Sequence, residues 1–94
     1  MRGVSVFSGG VMENANRLAQ VGIIVEDGAA TDRVNAVLSE FGAFVVGRMG
    51  IPYRSRGVSV ISVVIDAPAP TVNALTGKLG MVAGVSAKAL FSTK

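Results

Sequence analysis

Three arginines crowd the stretch VVGRMGIPYRSRGVSVISVV, residues 45–64, in a chain with few charges. They are Arg48, Arg54 and Arg56. A guanidinium is a fixed fork of donors that suits carboxylates and phosphates, so the chemistry this stretch offers is anion binding. A second anion-seeking element is Gly28, Ala29, Ala30 and Thr31, where a helix opens with amides that lack partners inside the helix. Together with Arg48 or Arg54, and with Tyr53 as a wall, those amides form a candidate site for a small carboxylate or phosphate. The competing reading is structural. In it the arginines pair with Glu26 and Asp27 on a solvated rim or across a dimer interface, where such pairs contribute less than about 1 kcal/mol. Lys78 has a plain role as well, because a lysine in a helix's last turn complements the helix dipole.

Catalysis finds little to work with. The chain has no histidine and no cysteine. Ser-His, Cys-His and zinc arrangements are therefore missing, as are disulfides and thiol chemistry. Glu26 and Asp27 are neighbours in a strand-like stretch and point to opposite sides, which makes a poor acid/base pair. Asp66 is expected at the other end of the sheet. Only hard oxygen ligands remain, which disfavours transition-metal sensing. The expectation is a protein that is not an enzyme and that carries no cofactor or metal.

The elements that must position these residues follow from hydrophobic period. Residues 1–18 show no clear periodicity, and SGG reads as a flexible break. They are expected to be a loose tail, with Met12 a natural alternative start and GVSVF an alternative extra strand. The domain proper is 19–94. Ala19 to Asp27 alternates as a strand, with Val21, Ile23 and Val25 on one face. Val34, Val37, Leu38 and Phe41 recur at helical spacing, with Thr31 as cap and Gly42 as stop. AFVVGRM is a second strand and GIPYRSRG its turn, because Pro52 removes a ladder donor. Val58 to Asp66 is apolar on both faces, as a strand covered on both sides would be. A second helix follows from Pro70, with Val72, Leu75 and Leu79 on one face and Gly80 closing it. Gly77 inside it suggests close packing. Gly84 to Phe91 is the last strand.

The order β-α-β-β-α-β, with right-handed crossovers, predicts a four-stranded antiparallel sheet with both helices on one face. This is the α+β, ferredoxin-like sandwich. In it the first strand's end, the hairpin tip and the helix ends are expected to gather Glu26, Asp27, Arg48, Arg54, Arg56 and Lys78 along one rim.

Composition adds the partners. The chain has 94 residues, 50% of them hydrophobic and 16% charged, with mean hydropathy +0.55. That is one small domain, and more apolar than so short a chain can bury alone. A second copy is expected to cover the excess, as a homodimer or homotetramer joined face to face or edge to edge. Net charge +3 is mild, and the chain has one tyrosine, four phenylalanines and no tryptophan. Nucleic-acid binding usually needs a denser basic stripe with interleaved aromatics, so it is not expected of this chain by itself. The apolar run from Val58 to Ile65 is too short to span a bilayer, and residues 1–18 hold no signal-peptide hydrophobic region. The reading is a cytoplasmic protein with no membrane association.

The stretches VGIIVED, VNAVLSEFG, VVGRMGIPYR, VSVISVVIDAP, ALTGKLG and GVSAKALFS together resemble the family of iron-only hydrogenase system regulators. The resemblance runs from about Val21 to Ser92. Its most specific pieces are Gly47 to Tyr53 and Leu75 to Gly80. It implies a domain akin to the ACT regulatory domains and to the C-terminal domain of nickel-responsive repressors, both of which bind effectors at oligomer interfaces. It also implies a regulatory role connected with hydrogenase expression or assembly. Nickel ligation does not carry over, since this chain lacks histidine and cysteine. DNA binding does not carry over either, because eighteen irregular N-terminal residues are too few for a helix-turn-helix or ribbon-helix-helix arm.

The resulting expectation is a non-catalytic regulatory module, self-associated, that binds a small anionic or amino-acid-like effector through Gly28 to Thr31, Arg48, Tyr53 and Arg54. A regulatory protein partner would then read the change. The alternatives are a protein–protein assembly module without ligand and a nucleic-acid-binding transcriptional regulator.

Overall fold

Alternation along two central strands builds the sheet. The structure is a computed structural model that describes residues 15–94. Strand β1 runs Asn16–Val25 and buries Ala19, Val21, Ile23 and Val25. Strand β3 runs Val58–Pro68 and buries Ile61, Val63, Ile65 and Ala67. The two pair antiparallel from Asn16↔Pro68 to Val25↔Ser59, which puts both buried rows on one face. Strand β4, Val85–Phe91, pairs with the other side of β1, and strand β2, Val45–Tyr53, pairs with β3. The order is β2-β3-β1-β4.

Helix α1, Thr31–Glu40, and helix α2, Ala69–Gly80, complete the core from that same face. Val34 and Leu38 from α1 and Val72, Leu75 and Leu79 from α2 join the buried strand residues in one cluster. Each such side chain stabilises the fold by roughly 1.5–3 kcal/mol through burial alone. A four-stranded antiparallel sheet with two helices on one face is the ferredoxin-like sandwich expected from the sequence.

Several local expectations are corrected. The loose tail and the alternative strand at GVSVF fall largely outside the described residues, but Asn16, Arg17 and Leu18 belong to β1. Strand β3 is covered on one face only, because Val60 and Val64 on its other face are exposed. Thr31 caps nothing. Asp27 instead accepts a hydrogen bond from the Ala29 amide and starts a short 3-10 turn, Gly28–Ala30, ahead of α1. Gly42 and Gly80 do not adopt the left-handed conformation; among the described glycines only Gly57 and Gly84 do. A β-carbon on Gly77 would meet nothing within 4 Å, so the expected close packing is not there. Pro52 lies inside β2 rather than in the turn. Its missing N–H is tolerated because β2 is an edge strand. The turn itself is a 3-10 segment, Arg54–Arg56, closed by Gly57 at φ 67°.

Candidate functional site

One irregularity in β2 decides where Arg48 goes. Val45 lies opposite Ile65 and packs against the core. Strict alternation from Val45 would send Arg48, Gly50 and Pro52 to the bare face of the sheet. A bulge intervenes: Val45 pairs with Ile65 while Gly47 pairs with Val64, so β2 advances two residues against one of β3. The phase flips. Arg48 then lies opposite buried Val63, Gly50 opposite Ile61 and Pro52 opposite Ser59, all on the helix side. Met49, Ile51 and Tyr53 go to the bare face.

On the helix side, α1 stands away from β2 and leaves an open cleft of about 260 Å³. Val25, Val34, Pro52 and Ile61 give it apolar walls, and Thr31, Asn35, Arg48 and Ser59 contribute polar groups. Gly50 forms part of one side, and its lack of a side chain keeps the cleft open. Arg48 Nη2 donates to Asn35 Oδ1 at 3.1 Å, which bridges β2 and α1. Among the described residues no carboxylate lies within ion-pair reach of Arg48. A cationic fork at the mouth of an apolar cleft suits a small carboxylate or phosphate with an apolar body.

Of the seven residues singled out from sequence, the structure brings Thr31 and Arg48 together. The rest do not line the cleft. Gly28, Ala29 and Ala30 form the turn just before α1, and most of the amides expected to be free are already used. Ala29 N–H goes to Asp27 Oδ1 at 3.0 Å and Ala30 N–H to the Asp27 carbonyl at 2.9 Å. Thr31 N–H goes to the Gly28 carbonyl. Asp27 therefore supplies from within the negative charge that a bound anion was expected to bring. Tyr53 points to the bare face, and Arg54 lies in the exposed hairpin turn.

The single charged rim is also corrected. Arg48 sits mid-strand, at the level of Val63, well below the hairpin tip. Lys78 is at the far end of α1, where its Nζ lies 3.2 Å from Glu40 Oε1 and 5.8 Å from the Phe41 ring centroid. The reason is that β3 runs on to Pro68, opposite Asn16, so α2 starts low and its last turn reaches only the C-terminal end of α1. That ion pair is the only one among the described residues.

The sequence reading missed Asn35, Gly50 and Ser59. Asn35 had a signal: it follows Thr31 by four residues, so the two share a helix face. Gly50 and Ser59 had none without the register of the bulged strand.

Residues 17–89 match the TM1266-like family, described as "Iron-only hydrogenase system regulator, putative". The chain belongs to this family. The match takes in both helices, strands β2 and β3 and most of β1 and β4, and it includes the bulge, Arg48 and Asn35. An uncharacterized protein of the regulator family, TM1266 from Thermotoga maritima, superposes with a TM-score of 0.78 at 31% identity, over 81% of this chain and 96% of that one. A formyltetrahydrofolate deformylase from Pseudomonas putida superposes with a TM-score of 0.57 at 16% identity, over 78% of this chain and 28% of the deformylase. The likeness to the deformylase is one of fold alone. No curated protein matches this member of the regulator family. Among the described residues no helix is long and apolar enough to cross a membrane, and no three acidic, histidine or cysteine residues cluster as metal ligands.

Proposed function

We propose that this chain is a non-catalytic, self-associating regulatory module of an iron-only hydrogenase system, which works in the cytoplasm and binds a small anionic or amino-acid-like effector between β2 and α1. The observation that carries this reading is the bulge, which turns Arg48 into an apolar cleft where Asn35 holds it and, among the described residues, no carboxylate competes for it. The effector's carboxylate or phosphate binds the Arg48 fork, and its apolar body lies against Val25, Val34 and Ile61. Thr31 and Ser59 offer hydroxyls to its other polar groups. A ligand there ties the edge strand to a helix. It shifts assembly or partner contacts because it binds one arrangement of those two elements better than another.

A thermal-shift screen of amino acids, nucleotides, S-adenosylmethionine and simple anions tests the reading. A ligand at a hundredfold over its dissociation constant adds about 2.7 kcal/mol, which is several degrees for a domain of this size. A hit lost in Arg48→Ala supports the cleft. A flat screen at high concentration favours the second reading, an assembly module without ligand, for which the bare apolar face of the sheet speaks.

A further inference from the structure

Among the described residues no helix lies on the second face of the sheet. Leu18, Met49, Ile51, Val60, Val64 and Leu90 are all exposed on it. From their fractional exposures, these six residues present on the order of 600 Å² of surface, at the upper end for a monomer's largest apolar patch and near the roughly 800 Å² that each partner gives to a stable interface.

The face is built to meet itself. It has a hollow of about 420 Å³ lined by Leu18, Gln20, Ser62 and Val64, with Met49 on β2 and Leu90 on β4 at its two borders. Met49 and Leu90 are each 70% exposed, so projections and hollow occur on one surface. The polar pair within the hollow is matched internally, since Gln20 Nε2 donates to Ser62 Oγ at 2.8 Å. Covering it therefore strands fewer polar groups. Two charged residues, Asp66 and Lys88, share this face. They have opposite signs and lie on opposite sides of β1, with Asp66 beside Leu18 and Lys88 beside Gly22. A two-fold axis can bring each Lys88 to the other copy's Asp66, which is the self-complementarity an isologous interface requires. Pairing through the β2 edge is opposed by Pro52, which lacks a donor, and by the bulge between Val45 and Gly47.

We infer that two copies of this chain associate through their bare sheet faces, with Met49 and Leu90 of each copy bordering the joined hollows and Lys88–Asp66 pairs fixing the orientation. The inference deepens the self-association proposed above and names its surface.

Analytical ultracentrifugation over a concentration series, on the full chain and four variants, tests it. Lys88→Glu and Asp66→Lys each place like charges opposite one another and should weaken association about tenfold or more. The double variant should restore it to near the wild-type value. Met49→Asp should give monomers. Circular dichroism confirms that each variant is folded, which is expected since all three positions are exposed. Assembly that persists in Met49→Asp overturns the face and assigns association to an edge such as that of β4, leaving the self-associating reading intact. A charge swap that fails to restore association overturns the proposed orientation. A wild-type chain that stays monomeric overturns both the face and self-association, and leaves the Arg48 cleft to be judged by its own ligand screen.

Discussion

A β-carbon placed on Gly84 would lie 2.8 Å from the Cβ of Asp27. The contact joins the start of β4 to the loop that leads into α1. Glu26 N–H also donates to the Gly84 carbonyl at 2.7 Å, so the two backbones are pressed together where the candidate cleft's helix begins. Gly84 is held at φ 81°, a conformation that costs other residues free energy even in open space.

Gly84→Ala should therefore destabilise the domain by about 2–4 kcal/mol, by strain and overlap together. Gly57→Ala is the control. Gly57 has φ 67° but no atom within 4 Å of an added β-carbon, so strain alone should cost about 1–2 kcal/mol. Urea unfolding of the two variants measures the difference, and equal losses would contradict a steric contact at Asp27.

Asp27 has a second duty in the turn before α1, as the acceptor for Ala29 N–H. Asp27→Ala should cost about 1 kcal/mol, the usual loss on removing such a cap. Chemical denaturation reads it directly. If the Gly28–Thr31 amides can hold an anion, phosphate should protect this variant more than wild type; unchanged protection would mean that the turn is purely structural.

Gly50 offers a way to close the cleft without touching its charge. An added β-carbon there meets the Ile61 side chain at an ordinary 3.7 Å, and no unusual backbone angle is required. Gly50→Leu should fold with stability within about 1 kcal/mol of wild type and should abolish the ligand-induced thermal shift. A retained shift would place the ligand elsewhere.

The arginines should separate in the same assay. Arg48→Ala should lose about 1.5–3 kcal/mol of binding, tenfold or more in affinity, as expected for a hydrogen-bonded charge. Arg54→Ala should bind nearly as wild type, because Arg54 lies outside the cleft. Isothermal titration with any ligand found in the screen makes the comparison, and the reverse order would restore the hairpin tip as the site.

Lys78 and Glu40 should matter little. Their side chains are 52% and 55% exposed, so Lys78→Ala is expected to cost no more than about 1 kcal/mol. Leu75→Ala, at a fully buried position of α2, should cost about 2–5 kcal/mol in the same unfolding experiment.

The strands and helices were legible because their apolar residues keep strict periods: Val21, Ile23 and Val25 alternate, and Val72, Leu75 and Leu79 recur with the turn of a helix. The site was legible only in part. Arg48 stood out by charge, but its side of the sheet depends on one inserted residue between Val45 and Gly47, and an alternating pattern does not reveal a bulge. The glycine stops failed for a related reason. Gly42 and Gly80 are good left-handed formers, yet Phe41 and Met81 end these helices through ordinary backbone bonds to Leu38 and to Lys78 and Leu79. Lys78 was misplaced because the depth at which α2 starts is set by the extra length of β3, which is a tertiary fact.

Strand β2 is hydrogen-bonded along one side only, to β3, and eight of its nine residues are exposed. Beneath it Arg48 and Asn35 make one side-chain tie to α1. Local opening costs least where few buried contacts must be given up, so β2 amides should exchange with solvent deuterium well before those of β1 and β3. A ligand gripping Arg48 would slow that exchange. The strand that carries the site is thus also the part of the fold most able to report on whether the site is filled.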